Sequence, residues 1–484
     1  MNGHPTETLL ISWIADLAEA AGSDRTVPVT DPWRGTVCAR LVCPTEGALN
    51  HAVGAANRAY RDNLRATRAQ RMQWLNAAAE RIEADRDALV DLCVRHIGKP
   101  VKAARFEVGR SAAFVRACAA HIPEIWGESV PLDVTPAGAG RLGFSERVPH
   151  GVVLGVTPFN APINLLVQKV APALATGNAI IVKPSPEGAA VALRVAALFD
   201  EAGLPKGLFQ VILGDAKEAL ALAAHDGVAV ITLTGGTAAG EALARAGGAK
   251  PFLGELGGNS ANIVCADADI ADAAARIAPS AFEASGQQCI STQRIIVERP
   301  VAEAFTTALL ERIALLKVGD PADPQTDIGP VVHARSADRI VAMIDDAVAQ
   351  GATLLTQPRR EGCLIHPTLI ADVSRDCRVV REEVFGPVAS IIVVEDFDEA
   401  MAVANDCEFG LQAACFTRDL EQAFRAGREI RAGSVWINEA SRFRLDNYPF
   451  GGFGKSGSGR EGIRYAMDEM TTWKFLGIRL PSQR

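Results

Sequence analysis

Three side chains in a chain of 484 residues have the types and settings that covalent chemistry at a carbonyl would use. Cys289 closes Gly286-Gln-Gln-Cys289, just after a turn that glycine permits. A nucleophilic thiol needs an accessible position and local support for its thiolate form. Taken alone, Cys289 also fits a buried inert thiol, which is the reading for the other nine cysteines. Glu255 sits in Phe252-Leu-Gly-Glu-Leu-Gly-Gly258, where apolar neighbours would desolvate the carboxyl and raise its pKa towards that of a general base. The alternative is an exposed loop glutamate. Asn160 ends Thr157-Pro-Phe-Asn160, where a fixed amide could donate to a developing oxyanion or serve only as a turn or cap residue.

Two further segments look built for a nucleotide. Lys183-Pro-Ser185 ends a short apolar run, at the strand edge where ligands of parallel sheets sit. Thr234-Gly-Gly-Thr-Ala-Ala-Gly240 follows another apolar run and opens a helical pattern, so its backbone N–H groups could receive a pyrophosphate. It reads G-x-T-x-x-G, with Thr237 in place of the usual middle glycine. An ordinary strand-to-helix turn and a solvated lysine are the plain alternatives. Gly452-Phe-Gly-Lys-Ser-Gly457 is a literal G-x-G-x-x-G but does not open a helix after a buried strand. As a phosphate loop it also fails, because position 449 is proline. It reads as a tight surface or pocket-lining loop.

The elements that must position these residues alternate regularly. Residues 46–63, 68–96 and 101–121 show helical spacing, and the first ~130 residues read mainly as helix. From 141 the texture turns hairpin-like. Then 151–157 reads as strand, 164–175 helix, 179–183 strand, 187–202 helix closed by Gly203, 209–213 strand, 217–225 helix, 228–233 strand and 238–246 helix. Such alternation implies right-handed crossovers and a parallel sheet buried on both faces. A second alternation runs from 262 to about 438, with strands at 295–297, 389–394 and 434–437. The tail is glycine-dense, then helical, then strand-like in WKFLGIRL.

Composition bounds the partners. Lys+Arg total 49 against Asp+Glu 57, a formal net charge of −8, with 48% hydrophobic and 22% charged residues. A mildly acidic globular chain carries no global footprint for nucleic acid or an anionic membrane. The start, MNGHPTETLLISWIADLAEA, lacks a basic leader, and no apolar run reaches a spanning length. No cysteine pair or His/Cys cluster has zinc spacing, so no metal is expected. A cytoplasmic protein with reduced thiols and a small diffusible partner is the resulting expectation.

In order along the chain, Asn160, Lys183, the 235–240 turn, Glu255, Cys289 and Glu383-Val-Phe385-Gly-Pro resemble the aldehyde dehydrogenase superfamily. So do the runs ELGGNSANIV, VGDPAD…DIGPVV, FGLQAACFT, GSVWIN and PFGGFGKSGSGREG, from about residue 31 to the C-terminus. The resemblance implies an α/β fold: a Rossmann-like NAD(P)-binding domain at 1–127 and 150–257, an α/β catalytic domain at 258–456, and small β oligomerisation elements at 128–149 and 457–484. It implies a homodimer or homotetramer acting on a small aldehyde with NAD or NADP. Cys289 would attack the aldehyde, Asn160 would hold the oxyanion, and Glu255 would activate the water that releases the acid. The cofactor would lie on Thr157, Pro158, Phe159, Lys183, Ser185, Gly235, Gly236, Gly240, Leu256, Glu383 and Phe385.

Departures from the family pattern sharpen the expectation. NAD-preferring members commonly carry Glu three residues after the lysine, and here that position is Pro186, with Glu187 one place late. A 2′-phosphate is better tolerated without that carboxylate, so both cofactors stay open. Ala161, Asn164, Leu165 and Gln168 fall on the pocket-lining helix, where relatives acting on apolar aldehydes often carry aromatics. Gln168, Arg442, Arg444 and Phe450 fall at the substrate pocket, and two guanidiniums there could take a carboxylate, phosphate or phosphonate. Surface or interface salt bridges are the plain alternative for each arginine. The wording is similar to lactaldehyde, phosphonoacetaldehyde and semialdehyde dehydrogenases, which implies a small polar or anionic substrate. The competing readings are a coenzyme-A-acylating semialdehyde dehydrogenase, disfavoured by Glu255, and a non-catalytic binding protein that keeps the fold.

Overall fold

The computed structural model describes residues 7–16 and 22–481; parts of the 1–127 and 457–484 segments, with half of the leader reading, lie outside them. Two parallel sheets organise the chain. The first has the strand order Gly457–Ser458, Phe252–Glu255, Val230–Thr234, Val152–Thr157, Ala179–Pro184, Phe209–Val211, and every pairing after the first is parallel. Its central strands are Val/Ile/Leu runs buried from end to end, as a sheet covered on both faces requires. The helices Asn164–Ala175 and Ala189–Glu201 form its crossovers.

The second sheet runs Thr353–Leu354, Thr368–Ala371, Val388–Val394, Thr292–Glu298, Ser260–Val264, Gln412–Phe416, Ser434–Ile437, and all its pairings but the first are parallel. Thr157, Lys183, Thr234 and Glu255 lie at the carboxyl ends of first-sheet strands. Gly258 and Cys289 lie just before the amino ends of Ser260–Val264 and Thr292–Glu298 in the second. The candidate residues therefore converge where the two sheets face each other end to end.

A third sheet stands apart, with Arg141–Pro149 between Glu128–Val130 and Thr471–Arg479. Thr471–Arg479 pairs antiparallel with Arg141–Pro149 of its own chain over nine residue pairs. The 457–484 segment divides, since Gly457–Ser458 extends the first sheet and only Thr471–Arg479 joins the third. No helix among the described residues is long and apolar enough to cross a membrane.

The structure differs from two sequence expectations. The helix expected over 68–96 is two, Arg68–Ala84 and Arg86–Ile97, broken at Asp85. Asp85 receives Arg194 in a bidentate pair at 2.7 and 2.8 Å, which anchors the break to the crossover helix behind it. The early chain is also not chiefly helical from its start. Thr8–Leu10, Gly22–Thr30 and Val37–Pro44 form a three-stranded sheet. Its hairpin turns at Asp31, whose carboxylate accepts from Trp33 and Arg34 N–H, and Gly35 takes φ +70° there. All ten cysteines are free thiols.

Candidate active site

The strand Val152–Thr157 delivers the Pro158–Asn160 turn. Asn160 Nδ2 donates to Gln287 O at 2.8 Å, joining this turn to the segment two residues before Cys289. The helix Asn164–Ala175 then begins, and every one of its residues is buried. Phe159 packs edge-on against Phe385, ring centroids 5.9 Å apart, and Phe385 holds a left-handed φ of +49°. A phenylalanine in that region is strained and is held there by its surroundings.

Glu255 ends the strand Phe252–Glu255, and the glycine loop rejected as a phosphate motif proves to hold it. Ser456 O accepts from Leu256 N at 2.9 Å and Ser456 Oγ donates to Gly257 O at 2.7 Å. A Cβ on Gly258 would lie 1.9 Å from the Cys289 carbonyl oxygen, so only glycine lets the two loops touch. The Glu255 carboxyl is buried with Oε2 unpartnered. Burial, reinforced by Glu461, holds its pKa well above the usual carboxylate range, against the pull of Arg444 and Lys169.

Cys289 follows three consecutive left-handed residues, Ala284, Ser285 and Gly286, at φ +52°, +61° and +63°. The strain is tied down from outside. Ser285 Oγ donates to Gly329 O at 2.8 Å, and Gln287 Oε1 accepts from Val332 N at 3.0 Å. Cys289 is half-buried beside Ile290, Leu411, Phe450 and Tyr448. Burial, then the charge of Glu383, pushes its thiol up to about 12, with Arg444 opposing. In this state the sulfur is protonated at neutral pH.

Around these three lies a charged cluster that was not visible in the sequence. Lys169 Nζ donates to Glu461 Oε1 at 2.9 Å. Arg444 donates to Glu461 Oε2 at 3.0 Å and to Gln168 Oε1 at 2.9 Å, and its guanidinium carbon lies 3.6 Å from the Phe450 ring centroid. Gln168 Nε2 donates to Asp446 Oδ1 at 3.3 Å, and Asp446 takes Arg110 at 2.6 and 3.1 Å. Burial works to raise Glu461, but Lys169 and Arg444 outweigh it and hold that carboxylate below its usual range. Of the two readings open for Arg442 and Arg444, anion binding or salt bridging, the structure shows both arginines in salt bridges. Arg442 turns to Glu283 at 2.7 Å, Gln288 Oε1 at 2.8 Å and Pro279 O at 3.0 Å. Arg444 turns inward, yet its Nε is buried and unpartnered.

The candidate cofactor residues fit a dinucleotide. The strand Val230–Thr234 leads through Gly235 and Gly236 into the helix Thr237–Gly247, leaving backbone N–H groups at a helix start. A Cβ on Gly240 would lie 2.5 Å from Leu256, so this helix packs directly on the Glu255 loop. Lys183 is buried at the strand end and makes no ion pair among the described residues. Burial lowers its pKa, opposed by Glu218, Asp215 and Glu187. Ser185 N donates to Thr157 O at 2.8 Å, tying the two loops together. Glu383 Oε1 accepts from Gly258 N at 2.8 Å, and burial raises this carboxyl to about 7.

The model of the aldehyde dehydrogenase family matches residues 19–476. The chain belongs to that family. A 3-sulfolactaldehyde dehydrogenase of Priestia megaterium is 38% identical over 443 residues, 91% of this chain and 92% of its own. A solved NADP-dependent glyceraldehyde-3-phosphate dehydrogenase from Bacillus halodurans, complexed with NADP, is 35% identical with a TM-score of 0.92, covering 95% of this chain and 96% of that one. PnpE in complex with nicotinamide adenine dinucleotide is 33% identical with a TM-score of 0.93, each chain covered to 98%. This aldehyde dehydrogenase is thus an NAD(P)-dependent oxidoreductase with the family's fold. Sequence reading missed Lys169, Glu461, Asp446 and Arg110. One signal was present for Lys169, a lone cation in the otherwise apolar run NLLVQKVAPALA with no solvated face to occupy.

Proposed function

We propose that this enzyme oxidises a small anionic aldehyde to its carboxylic acid by way of a Cys289 thioester that water hydrolyses. The observation carrying this reading is the buried Glu255 carboxyl, with one oxygen unpartnered and its pKa raised beside the Cys289 loop. Cys289 passes its thiol proton to solvent water and adds to the aldehyde carbon as thiolate. The carbonyl oxygen becomes an oxyanion, received by the Asn160 amide and the Cys289 backbone N–H. When bound, the nicotinamide supplies a hydride acceptor, and loss of hydride from the thiohemiacetal carbon leaves a thioester. Glu255 takes a proton from water as the water attacks that thioester, and collapse returns Cys289 and releases the acid. Lys169 and Glu461 adjoin Glu255 and set the charge against which it titrates. Lys183 and the 235–240 turn would hold the adenosine and pyrophosphate, and Glu383 the nicotinamide ribose.

The anionic substrate is supported by the charge of the pocket. Lys169 and Arg444 converge on the one carboxylate of Glu461, Arg110 pairs with Asp446, and Arg444 Nε remains a buried donor without a partner. The two relatives named for their substrates act on a sulfonated and a phosphorylated aldehyde. We assign the substrate anion to Arg444, with Gln168 and Phe450 fixing its guanidinium and Arg442 buttressing the nucleophile loop through Gln288 and Glu283.

Two measurements test this. Cys289→Ser should abolish turnover while cofactor still binds, and surviving activity would remove the mechanism. Arg444→Ala should raise KM for an anionic aldehyde at least tenfold more than for a neutral one of equal length, and equal effects would remove the anionic assignment.

A further inference from the structure

A buried ion pair outside the catalytic residues reaches the candidate oxyanion donor from behind. Lys99 projects from the turn after the helix Arg86–Ile97, and Glu107 from the helix Val101–His121. Both are buried and paired with each other. Lys99 Nζ also donates to the Asn160 backbone oxygen at 2.9 Å. The second oxygen of Glu107 accepts from Ile163 N at 2.8 Å and Asn164 N at 2.9 Å. One ion pair thereby holds both ends of the turn that carries Asn160, and it caps the helix that carries Gln168 and Lys169.

The turn bearing Lys99 is itself fixed to the nucleophile side. Gly98 takes φ +72°, and a Cβ there would lie 2.5 Å from Pro330, while a Cβ on Gly329 would lie 2.6 Å from Gly98 O. The carbonyl of Gly329 is the one that receives Ser285 Oγ. The Asn160 amide has two N–H donors, one of which is used on Gln287 O. The direction of the other depends on the amide plane, and so on where the backbone of residue 160 is held.

We propose that Lys99 and Glu107 are positioning residues for oxyanion stabilisation, fixing the free Asn160 N–H where the alkoxide forms. The inference rests on the proposed role of Asn160. Removing an oxyanion donor outright costs roughly 10²–10³ in rate, so misdirecting it should cost about 10–100-fold. The test is the single-turnover rate of NAD(P)H formation in Lys99→Met/Glu107→Gln, which leaves no buried charge unpaired, with Glu107→Gln alone, which leaves Lys99 without its carboxylate, as the second variant. The rate should fall about 10–100-fold with cofactor affinity unchanged, and Lys99→Arg should restore it to within a few-fold. In an Asn160→Ala background the same substitutions should cost nothing more, because coupled residues are not additive. If Asn160→Ala slows the step but the pair variants do not, or if they slow it equally in both backgrounds, the positioning role is overturned while the role of Asn160 stands. If Asn160→Ala itself leaves the step unchanged, both fail.

Discussion

Replacing Glu461 by Gln keeps the shape of the buried cluster and deletes one negative charge beside the base. Glu461 raises the Glu255 pKa, so its loss should lower it and leave Glu255 ionised at lower pH. A neighbouring unit charge in a buried cluster acts with a few kcal/mol at most at an effective dielectric of about 20. Relaxation around the new amide offsets part of this, so the acid limb of deacylation should move to lower pH. Lys169 and Arg444 lose their carboxylate partner, and breaking such a buried pair costs about 3–5 kcal/mol of stability. The assay is stopped flow. The enzyme is loaded with cofactor and aldehyde, the hydride burst reports that Cys289 and Asn160 remain competent, and acid release is followed across the pH range. An intact burst with an acid limb that stays put, or moves to higher pH, would refute the electrostatic account of Glu255.

Glu383 titrates near 7, so if its carboxylate grips the nicotinamide ribose, cofactor affinity should weaken as pH falls through neutrality. Glu383→Gln should flatten that dependence, as read by titrating binding at several pH values. The Cys289 thiol, raised to about 12, should be alkylated slowly in cofactor-free enzyme, at a rate climbing about tenfold per pH unit over the alkaline range. Peptide mass spectrometry locates the adduct, and a plateau near pH 7 would contradict the raised value. Gly258→Ala drives a methyl into the Cys289 carbonyl at 1.9 Å and should cost more than 100-fold in kcat with a cofactor affinity that barely changes.

The crossovers of the first sheet were legible because strands such as Ala179–Pro184 are short apolar runs separated by helical periods and glycine stops. Cys289, Glu255 and Asn160 stood out because each is an unusual residue type for its immediate setting, and the structure brings their loops together. The charged cluster was not, because Lys169, Arg444, Asp446 and Glu461 belong to segments that only the folded chain brings together. Sequence spacing carries no signal for a partner nearly 300 positions away. The break at Asp85 escaped for a related reason. Helical periodicity continues through it, and the partner that Asp85 takes at the break is Arg194, from a crossover about a hundred residues later. The glycine loop at 452–457 reads in sequence as a tight surface or pocket-lining loop, and its hold on the Glu255 strand depends on Ser456, which no motif singles out.

Cys289, the proposed nucleophile, hangs from the amino edge of one sheet and Glu255, the proposed base, from the carboxyl edge of another, in contact through Gly258 and the Cys289 carbonyl. Each sheet packs into apolar clusters of its own. Warming should therefore separate two events in time. The sheets slide by a fraction of an ångström and turnover stops, while both cores, and with them the helical signal, persist to a higher temperature. The working lifetime of the enzyme is then set by the seam between the sheets.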